Sequence, residues 1–150
     1  MFDNFFAFLK SQAETFTVHF IGGEPFLYPR FFEMCERVVV EGHNVALTTN
    51  FSMSDHTLEK FLNFTKEHLS YFEISVHLQQ IQNIDVFYEK LLFCKKMSGL
   101  DFNDFRIFSV LTVEGFESLV QLKNNPTRLG FELRVQRKTI FLGHQEYSDE

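Results

Sequence analysis

The chain has 150 residues, 45% of them hydrophobic and 23% charged, with a formal net charge of −6. That balance excludes a disordered tail, and its acidic sign disfavours nucleic acid and anionic membranes, which are bound through clustered Lys and Arg. No apolar run is long enough to span a bilayer, and Met1-Phe2-Asp3-Asn4 carries no basic n-region, so a soluble, cytoplasmic domain is expected.

In chain order, Phe5, Phe6, Phe8 and Leu9 predict an amphipathic helix over 2 to 13, leading into a strand at 16 to 21. Pro29 suits the first turn of a helix over 30 to 41, which Gly42 ends before the strand Asn44 to Thr49. Ser54 opens a third helix with Thr57, Leu58, Phe61, Leu62 and Thr65 at helical spacing, and the strand Tyr71 to His77 follows. Asn83 or Asp85 caps the next helix, which ends at Gly99 ahead of the strand Phe105 to Thr112. A short helix from Phe116 to Leu122 and a strand Phe131 to Arg134 complete the regular pattern. Residues 138 to 142 suit a further short strand, and Gly143 to Glu150 is polar and expected to be a flexible tail.

Five αβ units of this kind imply a parallel sheet with helical crossovers. Ligands of such sheets sit beyond the carboxyl ends of the strands. Those ends carry Gly22-Gly23-Glu24, Thr48-Thr49-Asn50, Ser75-Val76-His77, Thr112-Val113-Glu114 and Arg134-Val135-Gln136, and all are expected to face one mouth. The basic cluster Arg134, Arg137 and Lys138 reads as a solvated strand end. Cys35 and Cys94, each inside a helical pattern, make neither a disulfide framework nor a four-ligand metal site.

Gly22-Gly23-Glu24-Pro25 is the most informative stretch. Two glycines permit a sharp turn and close ligand approach, the glutamate offers a carboxylate at a strand tip, and the proline fixes the exit. With Phe26-Leu27-Tyr28-Pro29 after it and Thr48-Thr49-Asn50 at the next strand end, the segment resembles the GGEP motif of radical S-adenosylmethionine (SAM) enzymes.

The resemblance covers nearly the whole chain and implies a partial parallel (β/α) barrel of TIM-like type, about five strands, over residues 1 to 142. It also implies that Gly22, Gly23, Glu24 and Pro25 receive the methionyl end of SAM, with Glu24 on its amino group. Asn50, Ser75 and His77 then line the rest of the SAM pocket. From the residues alone, Asn50 is equally a turn residue, Ser75 a capping serine and His77 a histidine satisfied by backbone groups.

One departure is severe. In the family, three thiolates of a CxxxCxxC loop hold a 4Fe-4S cluster at which SAM is cleaved to a 5′-deoxyadenosyl radical, and no CxxxCxxC occurs here. By family order the first strand and the cluster loop are missing as a block, which leaves the edge of strand 16 to 21 free for self-association or a partner chain. The resemblance therefore implies a SAM-binding core that is inactive alone, with no catalytic or metal-ligating residue assigned. The alternatives are a cluster-free metabolite-binding or protein-interaction module on the same fold, and an unrelated α/β domain with an accidental GGEP.

Overall fold

A computed structural model describes residues 2–77, 81–101, 103–111, Glu117, Val120, Gln121 and 133–137. Ten elements are described in chain order. They are α1 (Phe2–Lys10), β1 (Thr17–Phe20), a 3-10 turn (Pro25–Leu27), α2 (Phe31–Val40), β2 (Asn44–Thr49), α3 (Asp55–Thr65), β3 (Leu69–Val76), α4 (Ile84–Ser98), β4 (Phe105–Leu111) and β5 (Leu133–Arg137). The sheet has five strands in the order β1-β2-β3-β4-β5, and every pair is parallel. Unbroken sequential order with helical crossovers is a barrel arrangement rather than a doubly wound one, whose order reverses at a switch point. The fold is a partial parallel (β/α) barrel.

Strand alternation divides the sheet into two faces. Val45, Leu47, Phe72, Ile74, Val76, Phe105 and Ile107 point toward the helices and join Leu58, Phe61, Leu62, Leu91 and Cys94 in one buried cluster. Along one row of register, Leu47, Phe72 and Phe105 are paired, and the last two rings stack 5.8 Å apart at an interplanar angle of 8°. The other face carries Thr17, His19, Ala46, Thr48, Tyr71, Glu73, Ser75 and Arg106, most of them half-buried, in the position of a barrel's inner wall.

Local chemistry sets the boundaries. Ser54 caps α3 through the Thr57 N–H, Asn83 rather than Asp85 caps α4 through the N–H groups of Asp85 and Val86, and Gly99 ends α4 at φ 65°. The first helix is shorter than the periodicity predicts: it stops at Lys10, where Ser11 and Gln12 turn back onto Phe8 and Leu9. Buried His43 holds that junction, its Nε2 meeting the Leu9 carbonyl at 2.9 Å and its Nδ1 accepting from the Phe16 N–H at 3.2 Å.

β5 runs from Leu133 to Arg137, three residues beyond the expected end at Arg134, and so takes Arg134 and Arg137 into the sheet. The expected strand at 138 to 142 and the tail at 143 to 150 lie outside the described residues, as does most of the helix expected over Phe116 to Leu122. Among the described residues no helix is long and apolar enough to cross a membrane.

Candidate functional site

The turn after β1 is built around Glu24. Gly22 and Gly23 adopt φ values of 102° and 50°, and nothing lies within 4 Å of where a Cβ would stand on either. Backbone conformation, not crowding, therefore requires glycine there, and the space beside the turn is open.

The Glu24 carboxylate then closes the turn onto the next strand. Its Oε1 accepts from the Phe26 N–H at 3.2 Å and from the Thr49 hydroxyl at 3.0 Å. Its Oε2 accepts from the same hydroxyl at 2.8 Å and from the Asn50 N–H at 2.8 Å. Two strand tips are thus locked by one side chain, and because the single Thr49 hydrogen is shared between both oxygens, three donors occupy about four acceptor positions and one more can be taken. Pro25 is buried and starts the 3-10 turn that carries Phe26 into the aromatic core.

The tip of β2 is equally constrained. Thr49 is 1% exposed and its hydroxyl also accepts from the Phe51 N–H at 3.0 Å. Phe51 lies at φ 66°, unusual for a bulky residue, and is held there by ring contacts to Phe72 and Phe87. Asn50 serves the turn, because its Oδ1 accepts from the Ser52 N–H at 2.9 Å, and its side-chain Nδ2 has no partner among the described residues. Lys90 reaches over from α4, donating to the carbonyls of Phe51 and Met53 and standing 3.5 Å from Asp55.

Five of the seven expected site residues line two separate clefts, and Gly23 and Ser75 line neither. Gly22, Glu24 and Pro25 line one of about 310 Å³ beside β1, with Phe2, His19 and Phe31 among its other walls. Asn50 and His77 line another of about 330 Å³ above the tips of β2 and β3, together with Asn83, Phe87 and Lys90. Glu24 lines the first cleft and Asn50 the second, and the Asn50 N–H to Glu24 hydrogen bond links the two residues. Gly23 is exposed on the turn, and Ser75 is half-buried on the face turned away from the described helices. The strand tips at Thr112 to Glu114 lie outside the described residues.

Sequence reasoning missed Thr49, Phe51 and Lys90 as parts of this assembly. Thr49 was legible as a strand-end residue, but its bond to a carboxylate 25 positions away is a tertiary fact.

The thiols lie elsewhere. Cys35 on α2 and Cys94 on α4 are fully buried, and burial pushes both upward, Cys35 to about 12. A raised thiol pKa leaves little of the reactive thiolate. In the folded protein at mildly alkaline pH both are expected to resist iodoacetamide, and in concentrated guanidinium both react; mass spectrometry counts the adducts. Rapid labelling of either thiol under native conditions contradicts its placement.

The fold has a counterpart among solved structures. It resembles SuiB of Streptococcus suis. The crystal structure of SuiB matches with a TM-score of 0.61 and 17% identity, over 89% of this chain and 32% of SuiB, so the chain spans about a third of that protein. At that identity the likeness is one of fold. No family model and no curated relative matches the chain.

Proposed function

We propose that these residues form the SAM-binding core of a radical SAM enzyme, working in the cytoplasm. The observation that carries the reading is the Glu24 carboxylate at the tip of β1, tied to the tip of β2 beside a two-glycine turn with open space at both Cβ positions. A carboxylate with acceptor capacity suits an ammonium group, and glycine backbone permits the close approach a compact amino-acid moiety needs. Gly22, Gly23, Glu24 and Pro25 would hold the methionyl end of SAM, and Asn50, Ser75 and His77 would line its remainder. Bound SAM supplies the 5′-deoxyadenosyl group of the family's reaction.

The 4Fe-4S cluster does not fit the residues present. The sequence has two cysteines and no CxxxCxxC, and both thiols are buried among apolar side chains of α2 and α4. Anaerobic reconstitution of the 150-residue chain with iron and sulfide is expected to give no stoichiometric cluster and no 5′-deoxyadenosine. Iron bound at four per chain, with product formed, refutes this.

SAM binding is checked by titration calorimetry on the wild type and on Glu24→Gln, which keeps the side chain's shape and one acceptor oxygen. Saturable heat in the wild type, weakened about tenfold in the variant, is expected for one lost charge-assisted bond of about 1.5 kcal/mol. A second reading is a cluster-free module that binds a metabolite or a protein through the outer edge of β1, which among the described residues pairs with β2 alone and is flanked by Ile21, 65% exposed. No heat with SAM in either protein turns the assignment to this second reading.

A further inference from the structure

The face of the sheet turned away from the described helices carries a hydrogen-bonded series that neither the GGEP turn nor the tips of β2 and β3 account for. His19 Nε2 lies 2.8 Å from the Thr48 hydroxyl, and that hydroxyl donates to Glu73 Oε1 at 3.2 Å, so one line crosses β1, β2 and β3. A carboxylate only accepts, so the single hydroxyl hydrogen of Thr48 is committed to Glu73. The Thr48 oxygen must then accept from His19, which places hydrogen on Nε2 and leaves Nδ1 with a free lone pair. His19 has no second hydrogen-bond partner among the described residues.

The surroundings hold this arrangement in place. Ala46 is paired with His19 on one side and Tyr71 on the other, and its small side chain lets their rings meet edge to face at 4.9 Å. Arg106 is the register partner of Glu73, yet its Nε donates to the Asn103 carbonyl at 2.7 Å and its guanidinium lies 5.1 Å from the Tyr71 ring. No ion pair within the described residues includes Glu73. Its charge therefore remains available to offset a charge arising on His19.

We propose that His19 is the terminal base of a proton-accepting site for a small ligand bearing an O–H or N–H group, with Thr48 and Glu73 as positioning residues. The ligand's proton passes to Nδ1, its bonding pair stays on the ligand's oxygen or nitrogen, and the imidazolium formed is stabilised through Thr48 by Glu73. His19 also lines the cleft that holds Gly22 and Glu24, so the base and the GGEP turn share one space. The inference stands independently of SAM binding.

Burial lowers the pKa of His19 from its ordinary 6.5, against an opposing upward pull from Glu73. Tyr71 meets its ring and Glu73 acts on it from β3, Arg106 of β4 stands over Tyr71, and Glu24 and Tyr28 line the same cleft. Because the unfolded chain takes up this proton before the folded one, stability is complete above about pH 6.5 and falls as pH drops toward the folded pKa.

Long-range proton–nitrogen correlation spectra of histidine-labelled protein test the assignment. The expected result is hydrogen on Nε2, a bare Nδ1 and a pKa below 6.5. Thr48→Val is expected to release the tautomer and Thr48→Ser to restore it, whereas Glu73→Gln moves the pKa further down by removing the upward pull. Diethylpyrocarbonate, which acylates an unprotonated ring nitrogen, is expected to modify His19 in the native wild type, as mapped by peptide mass. Hydrogen on Nδ1, a pKa at or above 6.5, or a native His19 inert to the reagent overturns the proposal, and these three readouts need no variant.

Discussion

Replacing Phe31 by alanine is expected to cost roughly 3–5 kcal/mol of folding stability, the range for deleting a buried aromatic ring. Phe31 is 2% exposed and sits at the centre of an aromatic group. It meets Phe20 at 5.4 Å and Phe26 at 4.9 Å, and stacks on Phe61 at 5.7 Å. One ring thus joins β1, the 3-10 turn, α2 and α3, and the cavity left behind cannot collapse without moving all four. The contrasting Phe5→Ala, at a position 38% exposed, is expected to cost under about 1 kcal/mol. Urea unfolding of both variants gives the comparison, and equal losses would show that the ring is not part of the core. Phe26 directly follows the GGEP residues, so Phe31→Ala is also expected to loosen the turn.

Glu24→Ala has the second largest expected effect, on stability as well as on ligand binding. The substitution leaves the N–H groups of Phe26 and Asn50 and the Thr49 hydroxyl without their acceptor. At about 1–3 kcal/mol for each unsatisfied group, reduced because water reaches part of the turn, the total is about 2–4 kcal/mol. Glu24→Gln retains one acceptor oxygen and is expected to lose about half as much. Denaturant midpoints measured without SAM separate this bracing role from ligand contact. If Glu24→Ala unfolds at the wild-type midpoint, the carboxylate is not holding the two strand tips together.

Much of the fold was legible in the pattern of apolar residues. Helical spacing in Phe31, Cys35 and Val38 and in Leu58, Phe61, Leu62 and Thr65 was clear because each series must face one side of a sheet. Element ends were less legible. Lys10 ends α1 because Ser11 and Gln12 turn back, and β5 extends to Arg137 because the pairing with β4 continues to Leu111. Neither the turn nor the pairing appears as periodicity.

The candidate site was legible to the extent that it is local. Gly22 and Gly23 require positive φ, and Asn50 with Ser52 forms a turn within its own neighbourhood, so residue types announce both. The link between the tips of β1 and β2 was not legible, since it is a bond from Glu24 to a backbone N–H 26 positions onward.

What the sequence by itself determined was the alternation of helix and strand, the glycine turn with its acid at a strand tip, and the absence of a CxxxCxxC run from these 150 residues, because these reside in residue type and short spacing. Tertiary structure alone decided that Glu24 spends most of its acceptor capacity on Thr49 and Asn50, and that His19, Thr48 and Glu73 form one line. The physical reason is register: parallel pairing sets which residues of three distant strands stand side by side, and that pairing is settled by burying the face beneath the helices.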